Sequence, residues 1–209
     1  MNKVILIGGS PTVGKSFFTR KIADELRLPW ISTDGIREAM RKLVRKEDYP
    51  KLFNIDYLVD TAESYLSSHT PQQIVDGQNS ESGDVWKGVK AFLDTDYVWK
   101  DYVIEGVAII PKLVSELDKD QYNIKPIFLV DENEARVREV VFTRGLWDDA
   151  KTYPDSIKEI EVQWAVLFNQ YIKSEAMKYG FSYHVIDDRD KSLTDLTAEI
   201  KSWLESKNQ

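Results

Sequence analysis

Residues 9–16 read Gly9-Ser10-Pro11-Thr12-Val13-Gly14-Lys15-Ser16 and follow directly on the apolar run Val4, Ile5, Leu6, Ile7 and the small Gly8. A short apolar run that ends on glycine suits a strand buried on both faces of a parallel sheet. From Lys15 onward the spacing turns helical, with Phe17, Phe18, Ile22 and Leu26 on one side and Arg20, Lys21, Asp24 and Glu25 mostly on the other. A glycine turn between such a strand and a helix N-terminus points successive backbone N–H groups at one spot, where the helix dipole adds partial positive charge. That spot suits a triphosphate. The Lys15 ammonium can reach its β- and γ-phosphates, and the Ser16 hydroxyl can coordinate Mg2+, so ATP and Mg2+ are the expected cofactors. Pro11 carries no N–H, which leaves the cradling to the amides of Val13, Gly14, Lys15 and Ser16, flanked by Gly9 and Phe17.

The alternation of strand and helix continues along the chain. Residues 30–32 read as a second strand, with Asp34 placed to cap a helix over about 36–44. Residues 102–106, 125–130 and 183–186 read as further strands. Helices are expected over about 132–144 and 156–179, followed by a last one that presents Leu193, Leu196, Ile200 and Leu204 to the core. Between the second and third strands lie two helical patches, Phe53, Ile55, Leu58, Val59 and Ala62, then Val85, Val89 and Phe92. The polar, breaker-rich residues 69–83 between them read as a loop. Such an order implies right-handed crossovers and a three-layer α/β/α sandwich around a five-stranded parallel sheet. One domain over 1–209 is expected, with a helical acceptor-binding insertion over about 45–98 and a helical lid over about 133–155.

Composition narrows the function. The 209 residues are 42% apolar and 30% charged, enough for one buried core. The net charge of -7 makes the surface repel polyanions, so extended nucleic acid is disfavoured and phosphate affinity has to be local. There is no cysteine, which excludes disulfides and thiolate metal sites, and the only histidines are His69 and His184. The apolar run near Met1 is far too short to span a membrane, and a cytoplasmic location is expected.

The C-terminal edge of a parallel sheet is where ligands meet the loops. Asp34 and Arg37 follow the second strand there. A carboxylate can orient an accepted hydroxyl and take its proton, and a guanidinium fork can hold an anion; equally, Asp34 suits a plain helix cap and Arg37 a surface position. Glu105 ends the third strand with Gly106 behind it, in place for a Mg2+-bound water or the acceptor. Arg136, Arg138 and Arg144 sit in the lid segment, with Arg144 next to a glycine hinge at Gly145 as the first choice for transition-state charge and Arg138 as the second. Asp187, Asp188, Arg189 and Asp190 form a charged turn in which Arg189 could stack on a base. Trp86, Trp99, Trp147 and Trp164 suit core packing better than pocket lining.

Together, Gly8 to Ser16, Ser32 to Arg41, Val85 to Val89 and Ile104 to Pro111 resemble the nucleotide-kinase-like P-loop kinases, and within them the 2-phosphoglycerate kinase-like proteins. The resemblance implies ATP and Mg2+, a sheet in the order 2-3-1-4-5, Asp34 near the accepted hydroxyl, and the turn around Arg189 against adenine. It departs from the pattern at Thr12, where such loops often have glycine, and at Ala108, where histidine is expected. Because the chain starts at its first strand, a bare kinase domain is implied. The expected activity is transfer of the γ-phosphate of ATP to a hydroxyl of a small, anionic metabolite. A 5′-hydroxyl polynucleotide or nucleoside kinase and an ATP-gated regulator stay open.

Overall fold

A computed structural model describes residues 2–53, 61–95, 99–146 and 150–206. The expected helical positions Ile55, Leu58 and Val59, and Trp147, lie outside them. Strand β1, Lys3–Gly9, is buried along its whole length. Its alternation divides the core in two: Ile5 and Ile7 point to one face of the sheet, Val4 and Leu6 to the other. The strands β3, Asp101–Glu105, and β4, Asn123–Val130, split in the same way, Val103, Ile127 and Leu129 against Tyr102, Ile104, Phe128 and Val130.

Helices α1, Lys15–Leu26, and α8, Arg189–Glu205, cover the first face with Phe18, Ile22, Leu196 and Ile200. The second face is covered by α2, Thr33–Leu43, α3, Ala62–Ser68, α4, Pro71–Leu93, α5, Pro111–Ser115, and α7, Asp155–Lys178. Helix α6, Glu134–Thr143, packs Val137 and Val141 against Val162 and Ala165 of α7. Fully buried aromatics such as Phe18, Phe128 and Phe168 each contribute roughly 1.5–3 kcal/mol by leaving water.

With β2, Trp30–Ser32, and β5, Tyr183–Val185, the sheet has the order β2-β3-β1-β4-β5, and each described pairing is parallel. This is the expected three-layer sandwich. The register sets Ile7 and Ser32 each opposite Glu105, so the loops after β1, β2 and β3 open on one edge. Among the described residues no helix is long and apolar enough to cross a membrane.

Two local expectations need correction. Residues 71–83 are not a loop but the first half of the 23-residue helix α4. Thr70 accepts from Gln73 N–H while Gln73 returns the bond to Thr70 N–H, and Pro71 occupies the first turn, a complete start signal that the glycines and serines obscured. Packing then overrides their low helix propensity. Ile74, Val75, Val85, Trp86 and Val89 are buried, and a Cβ on Gly88 would lie 2.5 Å from Ile36 and 2.6 Å from Met40, so glycine lets α2 approach. The second correction concerns α2, which is capped by Ser32, whose hydroxyl accepts from Asp34 N–H at 3.1 Å. Asp34 is therefore not a cap; its carboxylate is left for other work. Trp86 and Trp164 are core residues, as expected, and Trp99 packs partly buried against the core.

Candidate active site

The turn after β1 delivers Lys15 into the interior. Gly14, at φ 90°, caps α1 with no side-chain hydrogen bond, so the helix meets the loop with no side chain laid across its first N–H groups. Lys15 is only 6% exposed, and its Nζ donates to the Ser10 carbonyl at 2.7 Å. Burial pulls its ammonium down from 10.5 to about 8; Glu105 and Asp34 oppose this, and Arg144 adds to it. Lys15 thus feels Glu105, Asp34 and Arg144 at once.

Between pH 8 and 10.5 the unfolded chain keeps this proton while the folded chain releases it, so stability linked to Lys15 rises with pH across that window. Below pH 8 both states carry the charge and burial costs its full amount. At about 1.36 kcal/mol per pH unit, the unfolding free energy of the wild type relative to Lys15→Met should rise by up to about 3 kcal/mol from pH 8 to 10.5. Denaturant titrations at stepped pH measure this, and a constant difference would refute it.

Ser16 and Glu105 meet across the β1–β3 edge, Ser16 Oγ donating to Glu105 Oε1 at 3.1 Å. Glu105 is 3% exposed, and burial pushes its carboxyl above the ordinary value, with Asp34 pushing the same way and Lys15 and Ser16 opposing. A buried carboxylate with a hydroxyl beside it and a phosphate loop next door is a donor set that fits Mg2+, which takes one or two carboxylates and completes its shell with phosphate oxygens and water. Among the described residues no group of three or more His, Cys, Asp or Glu could hold a metal ion by itself.

Next to this pair is a narrow crevice between α2, α4 and the turn after β3, lined by Thr33, Asp34, Arg37, Glu81 and Ala108 among others. Asp34 Oδ1 lies 3.2 Å from Arg37 Nη1, so the two expected acceptor residues are paired with each other. Gly106 closes the wall: at φ +149° a Cβ would fall 1.8 Å from Thr33 Oγ1. Two residues of the crevice cluster escaped the sequence reading. Glu81 sits within the misjudged loop, where the Thr70-Pro71-Gln72-Gln73 start signal could have revealed a helix. Arg41, one turn after Arg37, holds Glu81 Oε1 through Nη2 at 2.6 Å.

The three arginines expected in a lid separate. Arg144 ends α6 with Nε donating to the Gly145 carbonyl at 3.3 Å and is the one whose charge reaches Lys15. Arg138 is engaged by both carboxylate oxygens of Glu159, across the exposed flank of α6 and α7, so its charge is answered there and not at the loop. Arg136 is a brace. It grips Asp131 at 2.7 and 2.8 Å and donates to the carbonyls of Ile186 and Asp187, tying β4 to the turn after β5. From that turn Arg189 stacks over Phe17, its guanidinium carbon 5.7 Å from the ring centroid. Phe17 is 39% exposed, outside the core face expected of it. Asp188 caps α8. His69 stacks on Tyr65 and His184 faces Glu199 at 3.3 Å.

A parallel sheet in this order, with a lysine-bearing glycine loop after its central strand and a carboxylate ending the neighbouring one, defines a P-loop kinase-like protein. The fold is shared with shikimate kinase from Bacteroides thetaiotaomicron, at 12% identity and a TM-score of 0.50 over 97% of this chain and 98% of that one. In sequence the chain is similar to 2-phosphoglycerate kinase of Methanothermobacter thermautotrophicus, 31% identical over 211 residues covering 95% of this chain and 64% of that protein. It is likewise 29% identical over 210 residues to 2-phosphoglycerate kinase of Methanocaldococcus jannaschii, covering 97% of this chain and 65% of that protein. The chain thus spans 64–65% of the length of these curated relatives. No protein-family model matches it.

Proposed function

We propose that this protein is an ATP-dependent kinase that transfers the γ-phosphoryl group to a hydroxyl of a small anionic metabolite, with 2-phosphoglycerate the first acceptor to test. One observation carries the reading: Ile7, which leads into the glycine loop, and Ser32, which leads into Asp34, both stand opposite Glu105 in the sheet register, and Glu105 accepts from Ser16 Oγ at 3.1 Å. The residues read as donor and acceptor machinery thus lie at one sheet edge. Relatives named 2-phosphoglycerate kinase support the choice of acceptor.

In this reading the amides of Val13, Gly14, Lys15 and Ser16, flanked by Gly9 and Phe17, receive the phosphates, and Lys15 reaches the β- and γ-oxygens. Ser16 and Glu105 would hold Mg2+, which neutralises charge on the phosphate oxygens when bound. Asp34 orients the acceptor hydroxyl and takes its proton as its oxygen bonds to the γ-phosphorus and the bridging bond to ADP breaks. Arg37 holds the acceptor anion, Gly106 leaves it room, and Arg144 steadies the transferred group. Arg138 could join only by leaving Glu159. Arg189, stacked on Phe17, would meet the base in this reading. Residues of about 45–98 act as the acceptor-binding insertion and about 133–155 as the lid.

The test is ADP release in the presence of ATP and Mg2+ against phosphorylated alcohols, carboxylated alcohols, nucleosides and a 5′-hydroxyl oligonucleotide. Release that depends on an anionic alcohol is expected. Release with the oligonucleotide or nucleosides alone would replace the acceptor assignment, and no acceptor-dependent release at all would sink the kinase reading.

A further inference from the structure

Glu81 projects from the middle of α4 into the acceptor crevice, with a side chain only 13% exposed. Its two oxygens are held unequally. Oε1 accepts from Arg41 Nη2 at 2.6 Å, whereas Oε2 lies 3.7 Å from Arg37 Nη1. Arg41 is a fixed post: its Nε donates to the Leu52 carbonyl at 2.7 Å, its Nη1 to Glu38 at 2.9 Å, and its side chain is 9% exposed. Arg37 is the more open of the two at 20%, lines the crevice, and meets Asp34 at 3.2 Å and Glu38 at 3.1 Å.

Among the described residues the ion pairs of the cluster join two guanidinium charges, Arg37 and Arg41, to three carboxylates, Asp34, Glu38 and Glu81. An anion arriving at Arg37 finds a carboxylate in its seat. Burial raises the Glu81 carboxyl above its ordinary value, Arg37 and Arg41 oppose this, and Asp34 and Glu38 add to it, so loss of Arg37 as a partner favours protonation. A second observation marks the same wall as a ligand surface. The Thr33 hydroxyl, on a residue 1% exposed that lines the crevice, has no hydrogen-bond partner among the described residues, and a buried hydroxyl left so is destabilising until something answers it.

We propose that Glu81 is a stand-in for the anionic group of the acceptor: an incoming phosphate-like or carboxylate group displaces it from Arg37, and Glu81 stays on Arg41 and takes up a proton. This rests on the reading of Arg37 as the acceptor's anion site. It makes the crevice selective, because an uncharged alcohol cannot replace the charge that Arg37 loses. It also makes anion binding proton-coupled, stronger as pH falls toward the raised Glu81 value.

Sulfate, which does not titrate near neutrality, is the probe. Its binding to the full chain is measured by calorimetry without nucleotide, in two buffers of different ionisation enthalpy, for the wild type, Glu81→Gln and Arg37→Gln. Binding that survives in Arg37→Gln belongs to the phosphate loop and is subtracted. The remaining site should bind sulfate roughly tenfold tighter in Glu81→Gln, within the ordinary range of coupling between sites, and the buffer-dependent heat of the wild type should vanish. Equal or weaker binding by Glu81→Gln, or a wild-type heat that does not depend on buffer, overturns the proposal. Should Glu81→Gln fail to fold, the wild type decides alone: sulfate affinity that is flat from pH 8 to 5 overturns it as well. The kinase reading fails separately, through absence of acceptor-dependent ADP release, and the sulfate result does not depend on that assay.

Discussion

Lys15→Met should lower acceptor-dependent ADP release by roughly a thousandfold, the upper range for removing one preorganised charge donor from a transition state. The side chain is 6% exposed and its ammonium is already destabilised by burial, so it enters the ligand-free site poorly solvated. A triphosphate supplies the counter-charge that the Ser10 carbonyl, its present acceptor at 2.7 Å, only partly replaces. Methionine keeps an unbranched apolar stem, one atom shorter and without the charge, so the variant should fold while binding a nonhydrolysable ATP analogue far more weakly. Turnover and analogue binding together measure this. Wild-type turnover in Lys15→Met would remove Lys15 from the mechanism.

Asp34→Asn should leave ATP-analogue affinity within about twofold and cut acceptor turnover roughly 10²- to 10⁴-fold, the range ascribed to a positioned general base. The fold should tolerate it. Ser32, not Asp34, caps α2, and the Asp34 carboxylate is 60% exposed, so its pair with Arg37 contributes only about 0–1 kcal/mol. An ATP-gated regulator differs in the second quantity: analogue affinity is again nearly unchanged, but no acceptor turnover exists for the substitution to remove. Single-turnover measurements at saturating ATP separate the two outcomes.

The donor half of the proposed site could be read from residues close together in the chain. Gly9 to Ser16 forms a local strand-turn-helix unit, and the position of its backbone amides follows from the turn and not from distant packing. Glu105 could be read too, because an apolar strand that ends in a carboxylate places it at the sheet edge. The acceptor half was legible only in part. Asp34 and Arg37 were visible as types at the right edge, but their pairing at 3.2 Å, and the removal of capping from Asp34, depend on where α2 begins.

Other features were hidden because long-range contacts decide them. Gly77, Gly83 and Gly88 weaken α4 locally, and the burial of Val75, Val85, Trp86 and Val89 in the core that α4 shares with α2 and α7 makes the helix continuous. That continuity carries Glu81 to Arg37 and Arg41, 40 to 44 positions earlier in the chain. Arg136, Arg138 and Arg144 look alike in sequence, yet Glu159 engages Arg138, Asp131 engages Arg136, and of the three Arg144 is the one that acts on Lys15.

By itself the sequence determined the phosphate loop, the alternation of strands and helices, and the two-faced pattern of β1, β3 and β4, since each follows from spacing along a few neighbouring residues. Only the tertiary structure decided which charges meet. A guanidinium or carboxylate finds its partner by position in space, and helices such as α2 and α4 bring those partners together through apolar contacts that no local pattern encodes.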